Sequence, residues 1–176
     1  MHIIIDGYNL IRQSEDFRRA EKFGLEAGRN RLIDTLIQYR KLNEHEITVV
    51  FDGWLDGSPR EEHYRKGGID IVYSRRGEKA DDVIKRMTSP ADHEALVVTS
   101  DRAIAAAVEK KGIVALPSPH FEQKLWEGMS SESTGQENAS GDNGEPFERV
   151  ITTRKRGPAR KLSKRERRTR KAVTKL

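Results

Sequence analysis

Five strand-like runs recur along the chain: Ile3 to Ile5, Ile47 to Phe51, Ile69 to Tyr73, Glu94 to Thr99 and Gly112 to Leu116. Each is short, rich in β-branched residues and closed by a turn, the signature of strands buried in a parallel sheet. Between them the apolar spacing changes to three and four. Leu32, Ile33, Leu36, Ile37, Tyr39 and Leu42 form a helical stripe from Arg29 to about Asn43. Val83, Ile84 and Met87 follow Asp81-Asp82 and predict a second helix. Arg102 to Lys111 is an alanine-rich third, and Pro117 to Glu127 is a terminal helix with Phe121, Leu125 and Trp126 on one face. Ile11 to Lys22 is polar, anchored by Leu10, Ile11 and Phe17, and reads as a short helix or an irregular segment broken by Gly24 and Gly28. Residues 54–68, with glycine, proline and many charges, read as a long exposed loop. Alternating β and α units imply an α/β domain with a mostly parallel five-stranded sheet and helices on both faces.

Charge divides the 176 residues unevenly. Residues 1–128 carry 20 bases and 22 acids, a net of −2. Residues 129–146 hold four acids and no base in a Ser-, Gly- and Asn-rich stretch, the composition of a flexible linker. Residues 147–176 form a basic tail, of which 154–176 carry twelve bases against one acid. Within it Phe147 to Thr153 is a short apolar patch suited to an edge strand. The rest has too few core residues to fold alone and is expected to be disordered or partly helical, able to become helical on a partner. A near-neutral body with a cationic tail suits binding to phosphate backbones. Arg154, Lys155, Arg156, Arg160 and Lys161 of the tail are candidate RNA contacts, as are Arg60, Arg65, Lys66, Arg75 and Arg76, whose setting near Tyr64 mixes bases with an aromatic ring.

Cysteine is absent, which excludes thiolate catalysis and disulfide frameworks, and no two histidines have the HxxxH spacing of a zinc hydrolase. Met1 leads straight into the first strand, so no signal peptide or membrane span is expected, and a cytoplasmic protein is the simple reading. GxxxxGK[ST], GxGxxG and Gly-x-Ser-x-Gly motifs are missing. Tyr8 stands where an aspartyl-phosphate phosphatase would carry its second acid.

Asp6, Asp52 and Asp101 each follow a strand, and Asp81-Asp82 open the helix after the third. In a doubly wound sheet these positions share the carboxyl edge, where ligands bind. Acids in the first helical turn also favour the helix dipole, which accounts for one of Asp81 and Asp82 but not both. Carboxylates gathered without an evident internal cation repel unless a metal or protons occupy the site. Hard oxygen donors without sulfur favour Mg²⁺ or Mn²⁺, ions suited to phosphodiester cleavage. Asn9, one turn beyond Asp6, is placed to orient a ligand.

Asp6-Gly-Tyr-Asn-Leu-Ile11, Phe51-Asp-Gly53, Gly77-Glu-Lys-Ala-Asp-Asp82 and Thr99-Ser-Asp101, in this order, resemble the YacP-like NYN proteins of the PIN-like nuclease superfamily over residues 1 to about 127. The resemblance implies a PIN-like three-layer α/β/α fold and a metal-dependent endoribonuclease. Its main acidic site would be Asp6, Asp81 and Asp101, supported by Asn9, Asp52 and Asp82. Some bacterial members are similar to nucleases that cut messenger RNA on the ribosome, so RNA and the ribosome are the expected partners. The alternative is a catalytically silent RNA- or ribosome-binding protein on the same scaffold.

Overall fold

The computed structural model describes residues 1–53, 58–89, 94–130 and 163–176. Strands β1 (His2–Asp6), β2 (Glu46–Phe51), β4 (Ile69–Tyr73), β5 (Ala95–Val98) and β6 (Val114–Leu116) run parallel, and β3 (Glu62–Lys66) is antiparallel to β4. The order across the sheet is β3-β4-β2-β1-β5-β6. β1 is therefore central, with Ile5 opposite Val49 on one side and Val98 on the other.

Alternation along β1 splits the core in two, because successive side chains leave opposite faces. Ile3 and Ile5 pack with Leu10, Ile11, Phe17, Leu32, Leu36 and Phe121, from helices α1 (Gly7–Gln13), α2 (Glu15–Glu21), α3 (Leu25–Leu42) and α6 (Ser118–Ser130). Ile4 packs on the other face with Val83 and Ile84 of α4 (Ala80–Met87) and Ile104 and Val108 of α5 (Arg102–Lys110). The result is the expected three-layer α/β/α sandwich.

Four expectations need correction. The sheet has six strands, because part of the stretch read as a loop is β3. Its sequence, EHYRK, is polar on both faces since it lies at the sheet edge. The hairpin to β4 turns through Gly67 and Gly68, whose φ angles of 57° and 84° fit a two-residue primed turn. Second, the polar segment after β1 is two short helices, with Ser14 ending α1 and capping α2. Third, α3 starts at Leu25, so Gly28 lies inside a helix rather than breaking one. A Cβ on Gly28 would sit 3.0 Å from the Glu21 side chain, so glycine lets α2 and α3 close together. Fourth, α6 runs through Met129 and Ser130, two residues given to the linker.

The chain's last segment is α7 (Lys164–Thr174), opened by a Ser163–Glu166 capping box. It folds against the chain's own body: Ala172, Val173 and Leu176 pack on the α3–α6 core, and Tyr39 donates a 2.9 Å hydrogen bond to the Leu176 carbonyl. Lys175 pairs with Glu94 and Arg165 with Glu109. The linker from residue 131, the patch from Phe147 to Thr153, and Arg154, Lys155, Arg156, Arg160 and Lys161 lie outside the described residues.

Candidate active site

Asp6 ends β1 and caps α1, its Oδ1 accepting the Asn9 amide hydrogen at 3.2 Å. The turn is tight because Gly7 has no side chain: a Cβ there would lie 2.4 Å from the buried Phe51 ring. Asp6 is only 8% exposed. Its second oxygen accepts a 3.2 Å hydrogen bond from the Thr99 hydroxyl, which in turn accepts the Asp101 amide hydrogen at 3.1 Å. Thr99 thus locks the ends of the adjacent strands β1 and β5 together. Asp101 caps α5, accepting from the amides of Ala103 and Ile104 at 2.6 and 3.1 Å. Asp81 sits half-buried in the first turn of α4, on the neighbouring side of β1.

The structure brings Asp6, Asp81 and Asp101 into electrostatic contact. Burial, with the charges of Asp81 and Asp101 added, pushes the Asp6 carboxyl up to about 6, against the opposing hydrogen bonds from Asn9 and Thr99. Burial also raises Asp81, followed by the charge of Asp101. Both groups are therefore strained as anions, which a cation would relieve. Among the described residues no three His, Asp or Glu side chains are gathered tightly enough to hold an ion unaided. That does not exclude Mg²⁺, which is commonly held by one or two carboxylates together with waters and substrate phosphates. The all-oxygen donor set and the mutual repulsion fit a hard divalent cation.

Asp52 and Asp82 lie at the same carboxyl edge, Asp52 after β2 and Asp82 beside Asp81 in the first turn of α4. Asp52 lines a groove on the α3 side of the sheet. Asp82 is exposed and lies 3.9 Å from Lys85, although its charge adds to the upward push on Asp81. Asn9 is built into the fold: its side-chain oxygen accepts from the Ser100 amide at 2.9 Å and the Ser118 hydroxyl at 2.8 Å, and the Ser118 amide donates to the Ser100 hydroxyl. This clasp ties α1, the β5–α5 turn and the start of α6 together beside the acids. Sequence reasoning missed Thr99, Ser100 and Ser118 as supporting residues. Thr99 and Ser100 belong to the Thr99-Ser-Asp101 motif, but nothing local marks Ser118 as the fully buried partner of Asn9.

The candidate RNA contacts fall on different faces. Lys66 lines the groove and pairs with Asp34, whereas Arg65, one residue earlier on β3, pairs with Asp70. Arg60 is exposed. Arg75 pairs with Glu78, and Arg76 lines a shallow depression with Arg75 and Asp82. Arg86 bridges Glu61 and Glu78, fixing this side of the carboxyl edge.

A three-layer fold with an acid trio at the carboxyl edge of a parallel sheet defines a PIN-like domain. The YacP-like NYN domain family matches residues 3–171, and the chain belongs to it. The family is nuclease-like and supports an RNA-cleaving function. Its match reaches into the tail, beyond the stretch that the four motifs cover. Two crystal structures of Rae1 (YacP) from Bacillus subtilis share the fold. One, a substituted variant, gives a TM-score of 0.61 at 19% identity over 75% of this chain and 79% of that one. The other gives 0.59 at 18% identity over 76% and 78%. No curated protein matches the chain. No described helix is long and apolar enough to cross a membrane.

Proposed function

We propose that this protein is a Mg²⁺- or Mn²⁺-dependent endoribonuclease of the cytoplasm that cuts messenger RNA, with the ribosome as the docking partner of its basic tail. The observation that carries the reading is the charge-coupled trio Asp6, Asp81 and Asp101, with Asp6 raised to about 6. Asp6, Asp81 and Asp101 would contribute to holding the ion, with waters and substrate phosphates completing its shell and Asp52 and Asp82 supporting them at the same edge. Bound there, a hard divalent cation supplies charge neutralisation and Lewis-acid polarisation of phosphoryl oxygens. The chain supplies the rest. Thr99 holds the Asp6 carboxylate in register with Asp101. The Asn9 clasp keeps the two loops from separating, so the acids meet the substrate pre-organised. Lys79, whose charge lowers Asp81, lines the groove that leads away from the acids.

The test is cleavage of RNA, free and on translating ribosomes, by the wild type and by Asp6→Asn and Asp81→Asn. A loss of at least about a hundredfold is expected in each variant. Added Mg²⁺ or Mn²⁺ should raise the melting temperature of the wild type and not of Asp6→Asn, because a ligand stabilises only the fold that binds it. Equal cutting by wild type and both variants would overturn the nuclease reading. The silent-scaffold alternative requires that Asp6→Asn function normally in cells while removal of residues 154–176 abolishes binding.

A further inference from the structure

A groove that begins at Asp52 and Lys79 has a cavity of about 930 Å³. It lies between α3, which contributes Arg29 and Ile33, and the sheet face that carries Tyr64 of β3 and Tyr73 of β4. Along that face runs a continuous series of rings. Tyr8 meets Phe51 edge-on at 5.2 Å, Phe51 stacks on Tyr73 at 5.5 Å, and Tyr73 meets Tyr64 edge-on at 5.8 Å. Arg12 lies over the Tyr8 ring at 5.8 Å and Arg29 over Tyr73 at 5.4 Å, and Arg29 also donates to the Tyr8 hydroxyl at 3.3 Å. One end of the series follows Asp6-Gly7 directly. The other end is open: Tyr64 is 54% exposed, one of few large apolar side chains left so.

We infer that this groove is a subsite for an unpaired nucleobase of the RNA strand, with the Tyr64 ring as its stacking surface. Three features point to a nucleotide. The volume lies in the range of about 300–1,000 Å³ typical of small-ligand sites. The lining pairs aromatic rings with cations, four bases against the acids Asp52 and Glu62, which suits a base and its phosphate together. The hydroxyl of Tyr64 is held by Glu62 at 2.8 Å, which fixes the ring against the sheet rather than leaving it to sweep solvent. Bases locked in a duplex cannot leave their stack to reach such a ring, so the subsite selects single strands. It serves the cleavage site proposed above, and binding is therefore measured apart from cutting.

The experiment is fluorescence anisotropy with a labelled single-stranded RNA oligonucleotide and its duplex, in chelator, using the full chain. Tyr64→Leu keeps an apolar residue on β3 but removes the π face, and it should weaken single-strand binding about tenfold while leaving duplex binding unchanged. Tyr64→Phe should bind single strands within about twofold of wild type, because the ring stays. Unchanged single-strand binding by Tyr64→Leu, or equal loss for single strand and duplex, would overturn the subsite. Cutting is assayed separately with metal. Selective loss of single-strand binding in Tyr64→Leu, alongside a wild type that cuts nothing, would sink the nuclease reading and leave the subsite standing. Cutting by a wild type whose binding ignores Tyr64 would do the reverse.

Discussion

The Asp6 carboxyl releases its proton only near pH 6, because folding removes its water and places Asp81 and Asp101 close by. A folded pKa above the ordinary 3.8 means that the native state binds this proton more tightly than the unfolded chain. The associated stability is complete below the unfolded value and is lost as pH rises through about 6. A shift of two units corresponds to about 3 kcal/mol. Asp6→Asn cannot ionise and can still accept the Asn9 hydrogen bond. In chelator it should be more stable than wild type by about 2 kcal/mol at pH 8, with the gain vanishing near pH 4. Urea unfolding across that pH range measures it, and parallel stability profiles for the two proteins would contradict it. Thr99→Val tests the partner. It removes the hydroxyl that favours the ionised form, so the Asp6 titration, followed by carboxyl NMR, should move to higher pH. The unpaired Asp101 amide should cost about 1–2 kcal/mol.

Among the elements, α7 is the one whose removal has the least obvious cost. Its apolar residues Ala172, Val173 and Leu176 cover the α3–α6 core, and its ion pairs reach Glu94 and Glu109. Val173→Asp should lower stability by about 1–2 kcal/mol, because a charge replaces a partly buried apolar contact. The same change on an undocked tail would leave the thermal melt where it was. A helix in the tail was expected, but neither its docking on the chain's own body nor β3 was legible in the sequence, for related reasons. The apolar content of α7 is Ala172 and Val173 near its end, with Leu176 just beyond it, too few for a visible stripe, and the anchors lie 56 to 137 positions away. β3 has no alternation because neither of its faces is buried: four of its five residues are exposed. Gly67-Gly68 was a readable hairpin signal that the surrounding charge obscured. The central strands were plain because both their faces are buried. The acids were plain because each ends a strand or starts a helix. Their grouping is a matter of topology: the strand order, not the spacing along the chain, decides which strand ends are neighbours.

At the scale of the whole molecule, the parallel sheet separates two charge fields. The acid trio lies at the carboxyl ends of the strands. Docked α7 touches Glu94, Gly112 and His45, which precede β5, β6 and β2, so it lies at the opposite ends. A five-residue strand spans ~16 Å, farther than the Debye length at physiological salt. The helix therefore cannot serve as the internal counter-charge of the acids, and its exposed Arg167, Arg170 and Lys171 face outward for another anion. If that anion is the RNA backbone, replacing all three by glutamine removes about three phosphate contacts while keeping good helix formers in place. The slope of log affinity against log salt for single-stranded RNA should then flatten by about 2. The melting temperature and the cleavage rate at saturating RNA should stay near wild-type values, since the Lys175–Glu94 and Arg165–Glu109 pairs, the apolar docking residues and the acids stay in place. Binding titrations at several salt concentrations decide the point, and an unchanged slope would show that RNA does not reach this edge of the sheet.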